Sequence, residues 1–264
     1  MGKRKNREVQ GRKYNERYRG TCKWIESLPL FLTWMEAPSP ATIRTSVAKV
    51  ETTSENGSKA TDDDKPASSP TNADTSAPTD PAFPPANVLW MHAIPGTGKS
   101  VLASYIVEYL KSKQGRTKTK DTAVYFFCTH ENVDQASAIE VFKSLLLQVL
   151  EQYCEVGSEY RVDRGVWHVM KQLKETDLTG LGRDNVSIWT MFGDILRCLN
   201  TKGTVRVVID GADEYANDEV IQLLEFLSYY CFKDDFNLKL LVISRDEKFI
   251  RDHFEALSSG MGKP

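Results

Sequence analysis

From Asn87 onward, short apolar runs alternate with stretches whose apolar residues recur at helical spacing. Val88, Leu89, Trp90 and Met91 make a run of strand length, and Leu102, Tyr105, Ile106, Tyr109 and Leu110 then trace one face of a helix. Thr122–Cys128 is a second strand, followed by a long amphipathic helix on Ile139, Phe142, Leu145, Leu146, Val149, Leu150 and Tyr153. Thr204–Asp210 and Leu238–Ser244 are the third and fourth strands, with helices over Glu219–Tyr230 and near Glu247–Leu257. Between them, 157–200 reads as loosely patterned helix, with Trp167, His168 and Trp189 as core aromatics. This alternation predicts an α/β fold with a parallel sheet, and no internal repeat is visible.

The chain before Asn87 is different. Residues 1–19 form a basic tail, in which Lys3, Arg4, Lys5, Arg7, Arg12, Lys13, Arg17 and Arg19 face only Glu8 and Glu16. A solvated tail is the plain reading, and a nuclear address or nucleic-acid arm is the alternative. Residues 20–36 carry Trp24, Ile25, Leu28, Phe31, Leu32 and Trp34, a short amphipathic helical segment that must dock on a larger core. From Glu51 to Ala82 there is no Val, Ile, Leu, Met, Phe, Trp or Tyr. Such a stretch cannot bury enough apolar surface to offset its ordering entropy, so 37–86 reads as a disordered linker. The domain would then occupy 87–264.

Bulk composition narrows the partners. A net charge of −2 gives no whole-chain reason to bind nucleic acid or a membrane surface. No apolar run is long enough to span a bilayer, and five scattered cysteines without CxxC pairs suggest reduced thiols in an intracellular, cytoplasmic protein. The four histidines lack the spacing of a metal site. His92 reads as packing or surface.

The chemistry concentrates where strands end. Between the first strand and its helix lies Ala93–Ser100, AIPGTGKS. Gly96 and Gly98 lack Cβ atoms, so the backbone there can curl and aim N–H groups at phosphate oxygens. The following helix adds the positive end of its dipole. In this pattern Lys99 reaches the β- and γ-phosphates and Ser100 sits on Mg²⁺. Ala93 stands where the pattern usually has Gly, which is tolerable unless that position needs positive φ. The expected phosphate-binding set is Ala93, Pro95, Gly96, Thr97, Gly98, Lys99, Ser100 and Val101.

The third strand ends in Asp210-Gly211-Ala212-Asp213-Glu214 and the fourth in Ser244-Arg245-Asp246. Ligands of parallel α/β sheets sit outside such carboxyl ends. Asp210 would hold Mg²⁺ together with Ser100. Asp213 and Glu214 are both candidates for orienting or deprotonating a water; the sequence does not rank them, and Glu214 is favoured. Arg245 could sense or stabilise a terminal phosphate.

Together these residues resemble the NACHT-type NTPases of the STAND signalling class, particularly fungal NOD-like receptors with a nephrocystin-type N-terminal NTPase region. The carriers are Gly20-Thr21-Cys22-Lys23-Trp24-Ile25, LWMHAIPGTGKS, AVYFFCTH, FKSLLLQVL, VVIDGADE and LLVISR. The resemblance implies a P-loop three-layer sandwich, ATP or ADP with Mg²⁺, an acidic pair at Asp213 and Glu214, and a sensor arginine at Arg245. It also implies that Gly20–Trp24 helps to enclose an adenine, and that oligomers with itself or other STAND proteins are the partners. The family's sheet normally has a fifth strand beside the phosphate-loop strand. None is evident in this chain, so the module is expected to be C-terminally truncated with that strand missing.

The first functional reading is a nucleotide-binding switch with slow ATP hydrolysis. A non-hydrolytic interaction scaffold is the second, favoured by Ala93 and the missing strand. A small-molecule kinase ranks third, because no arginine-rich lid is evident. The absence of a guanine-reading NKxD motif favours adenine.

Overall fold

The computed structural model describes residues 21–36, 47–51, 87–114, 121–128, 138–156, 166–167, 171, 185–200, 203–233 and 235–258. The basic tail, His168 and most of the 37–86 stretch therefore lie outside the described residues.

Five parallel strands form the sheet: β1 (Val47–Glu51), β2 (Val88–His92), β3 (Thr122–Phe127), β4 (Val205–Asp210) and β5 (Leu238–Ser244), in the order β1-β2-β5-β4-β3. The helices among the described residues include α1 (Pro29–Met35), α2 (Lys99–Lys113), α3 (Ala138–Val156), α4 (Asn185–Asn200), α5 (Asn217–Cys231) and α6 (Lys248–Ser258). The four strands expected from the apolar runs are present, and the α/β fold with a parallel sheet expected from the alternation is the observed one. Every residue of β2, β4 and β5 is buried. That is why these strands read as unbroken runs: a parallel sheet covered on both faces offers no polar side.

Each face has its own core. On one, Val207, Ile209, Leu240 and Val242 pack with Phe142, Leu145 and Leu146 of α3, Phe192 of α4 and Leu223 of α5. On the other, Leu89, Met91, Val208 and Leu241 pack with α2 and with Ile25, Phe31 and Trp34. The segment carrying these last three comprises a 3-10 turn, Lys23–Ser27, and α1, which starts with Pro29 at a position where a missing N–H costs nothing. Trp34 is fully buried and its Nε1 donates to the Leu240 carbonyl at 3.1 Å.

Two expectations need correction. The outer edge of β2 is occupied: β1 pairs with it in parallel, Val47 opposite Val88 through Glu51 opposite His92. The fifth strand is thus present, and it comes from upstream of the phosphate loop, inside the stretch read as linker. The composition signal began only at Glu51, the last residue of this strand, and Val47 and Val50 are the two β-branched residues that support it. Second, Trp167 is 55% exposed and is not a core aromatic, whereas Trp189 is buried as expected.

The other sheet edge is sealed by side chains. Gln148 of α3 accepts from the Tyr125 N–H at 3.1 Å and donates to the Tyr125 carbonyl at 2.8 Å, while Gln152 donates to the Ala123 carbonyl at 2.8 Å. These amides satisfy backbone groups of β3 that a further strand would otherwise take.

Candidate functional site

The site follows from the sheet order. β2, β5 and β4 are neighbours, with His92 opposite Ser244 and Asp210 opposite Ile243. Three turns therefore leave the sheet side by side at its carboxyl end, at strand spacings of about 4.8 Å. The ladder continues past the strands: Ala93 N–H donates to Ser244 O at 3.3 Å, Gly211 N–H to Ile243 O at 2.8 Å, and Cys128 N–H to Asp210 O at 2.8 Å.

Gly96 and Gly98 both take left-handed conformations, at φ 79° and 83°. A Cβ at either would meet nothing within 4 Å, so backbone conformation, not crowding, demands glycine there. Ala93 needs no such conformation, because Cys22 is the only non-glycine residue with positive φ among the described residues. The substitution at the head of the loop is therefore unstrained. Thr97 Oγ1 donates to Ile94 O at 2.8 Å and steadies the loop. Gly98 precedes α2 without a side-chain cap, which leaves the first-turn N–H groups of that helix aimed outward as anion donors.

Lys99 folds back over the loop, donating from Nζ to Ala93 O at 2.9 Å and Ile94 O at 3.0 Å. Partial burial lowers its pKa, against the raising effect of Asp213; Arg245 lowers it further, and Asp210 and Glu214 raise it. All the sequence-predicted charged residues of the site thus act on one ammonium.

Asp210 ends β4 with only 3% exposure. Gly211 turns the chain at φ 72°, where a Cβ would come within 3.0 Å of the Cys128 carbonyl. A 3-10 turn, Ala212–Glu214, then presents the two acids differently. The Asp213 side chain is enclosed: Oδ1 accepts the Arg245 backbone N–H at 2.8 Å and Oδ2 lies 3.2 Å from Arg245 Nε. Glu214 is half-buried beside the same turn. Burial, with Asp210 and Glu214 nearby, pushes the Cys128 thiol well above its ordinary pKa, so this cysteine stays a neutral packing group.

Several members of this arrangement escape a sequence reading. Trp90 Nε1 donates to Ser244 Oγ at 2.8 Å, and Ser244 Oγ donates to Arg245 O at 2.8 Å, so the arginine's backbone is held from both sides. His92 is buried, with Nδ1 3.8 Å from Asp246 Oδ2 and its ring 4.6 Å from that of Trp90. Only the strand-end position of these residues could have hinted at a role.

Of Gly20–Trp24, Gly20 lies outside the described residues. The stretch after it runs along α2 in the same direction: the Tyr105 hydroxyl bonds Glu26, and Phe31 sits 6.1 Å from Tyr109. Cys22 therefore lies toward the phosphate-loop end of α2, partly buried against that core.

A family model described as Nephrocystin 3, N-terminal, matches residues 79–245, which is more than half of the chain and includes every residue of the site from Ala93 to Arg245. The chain belongs to that family, a NACHT-like NTPase region. No curated protein and no solved structure matches it.

Proposed function

We propose that this nephrocystin 3 N-terminal-type module binds ATP and ADP with Mg²⁺ at the carboxyl end of its sheet and hydrolyses ATP slowly as a signalling switch. The observation that carries the reading is the convergence of the Gly96–Gly98 loop, Asp210, Asp213, Glu214 and Arg245 on Lys99. Ala93, Pro95, Gly96, Thr97, Gly98 and Val101 shape or follow the loop that would cradle phosphates, and Lys99 would neutralise them. The donor chemistry fits Mg²⁺: Ser100 supplies a hydroxyl and Asp210 a carboxylate, both hard oxygen ligands. Among the described residues no group of three or more His, Cys, Asp or Glu could hold a metal without help, so the ion would arrive with phosphate oxygens. When bound, Mg²⁺ offsets charge on the phosphates.

Glu214 would orient water, and Arg245 would meet the terminal phosphate. The direction of the Cys22 stretch supports a place for Thr21–Trp24 beside the base of the nucleotide. Both arguments for a degenerate scaffold weaken, since Ala93 is unstrained and β1 fills the sheet edge. The likeness to fungal NOD-like receptors, a cytoplasmic setting and oligomers with STAND relatives follow from motif resemblance and form part of this proposal. No helix among the described residues is long and apolar enough to cross a membrane.

Steady-state phosphate release tests the hydrolytic part. Glu214→Gln should retain ATP binding while turnover falls about 100-fold or more. Equal turnover in the variant and the wild type would reject Glu214 as the acid, and a folded wild type that releases no phosphate would reject the enzyme reading.

A further inference from the structure

Asp213 and Glu214 look interchangeable in the sequence, yet their surroundings separate them. The Asp213 side chain is 4% exposed, and each of its oxygens faces a nitrogen of Arg245: the backbone N–H at 2.8 Å and Nε at 3.2 Å. A carboxylate so enclosed has both oxygens engaged by Arg245 and little surface to offer a reacting water. The Arg245 side chain, in contrast, remains 43% exposed. Its guanidinium is held by the Nε side, which leaves the donors of the two terminal nitrogens for an anion. The backbone of Arg245 is fixed independently through Ser244 Oγ and Trp90 Nε1. What Asp213 adds is the aim of the side chain and a negative charge between two cations, Lys99 and Arg245, that would otherwise repel at one anion site.

We propose that Asp213 is a positioning residue that aims Arg245 at the terminal phosphate, so that this pair, and not the acid beside it, sets the discrimination between ATP and ADP. The inference rests on the nucleotide-site reading above. A guanidinium so aimed would bind, with its two terminal nitrogens side by side, oxygens that a triphosphate has and a diphosphate lacks. Asp213 thereby acts on nucleotide preference, and Glu214 on turnover.

The test is a double-mutant cycle on Asp213→Ala and Arg245→Ala, read by titration with ADP and with a non-hydrolysable ATP analogue in the presence of Mg²⁺. Each single variant should reduce the preference for the triphosphate about tenfold, and the double variant should lose no more than either single one. Asp213→Asn keeps the shape and the acceptor for the backbone N–H but opposes Nε with an amide, and should shift the preference the same way if the alanine variant folds poorly. Glu214→Gln should leave the preference within about twofold while turnover falls. A wild-type preference in folded Asp213→Ala or Asp213→Asn, with turnover lost, would assign Asp213 to the water and overturn the proposal alone. A folded wild type that binds neither nucleotide would remove the underlying reading as well.

Discussion

The two ends of the sheet both gather charged side chains, and they use them in opposite ways. At the carboxyl end, Lys99, Asp210, Asp213, Glu214 and Arg245 sit at or just beyond strand ends or at the start of a helix. Lys99 holds carbonyls of its own loop, and Arg245 stays substantially exposed. At the amino end, Arg206 and Lys239 stand directly opposite each other within β4 and β5 and are buried. Arg206 donates from Nη1 to Asp121 at 2.8 Å and from Nη2 to the Met35 carbonyl at 2.7 Å, tying α1 to the sheet. A cleft of about 270 Å³ opens here, between Met35, Tyr109, Lys113, Asp121 and Arg206. Concavity alone therefore does not locate the chemistry. What distinguishes the carboxyl end is that its charges hang on turns and helix starts, where backbone donors and side chains can change partners without unpacking a core.

The contrast can be broken at the amino end first. Arg206→Ala should cost about 3 kcal/mol in denaturant unfolding, because it takes the cation from the partly buried Asp121 carboxylate, which keeps the Thr204 N–H, and the donor from the Met35 carbonyl. Nucleotide affinity should stay near wild type once the protein is folded. A loss of affinity without a loss of stability would show that the two ends are coupled.

Lys239 gives an effect of similar size and opposite sign. Its Nζ is buried without a hydrogen-bond partner among the described residues, and burial, with Arg206 facing it across the strands, lowers its pKa from 10.5 to about 8, while Cys231 and Glu36 oppose the shift. The folded state thus disfavours the proton that the unfolded chain keeps. Below pH 8 this penalty is fully present; between pH 8 and 10.5 the folded chain has released the proton and stability recovers. Lys239→Met should stabilise the protein at pH 7 by on the order of 3 kcal/mol, and the gain should shrink as pH rises through that window. A gain that is constant with pH would mean that Lys239 is not held as a strained cation.

How much of this was legible depended on where each signal lay along the chain. The strands β2 to β5 and the phosphate loop were readable because burial on both faces leaves a nearly unbroken apolar run, and a glycine that needs positive φ announces itself. β1 was not readable, since five residues beside a stretch without large apolar side chains carry too little pattern, and its pairing with β2 is set by the fold. The charged candidates at the carboxyl end do come together, but their division of labour was hidden. The contact that separates Asp213 from Glu214 reaches 32 residues along the chain to Arg245. Lys239 likewise carries no local sign of its burial, because nothing nearby in the chain shows that Trp34 and α1 cover that face.

The most direct test of the central claim is calorimetric titration of Mg²⁺–ATP and Mg²⁺–ADP into the wild type, Lys99→Ala and Lys239→Met. The account predicts micromolar binding, on the order of 8 kcal/mol, in the wild type and in Lys239→Met, and its loss in Lys99→Ala with the fold intact. A folded wild type that gives no heat, or a Lys99→Ala variant that binds as tightly as the wild type, would contradict it.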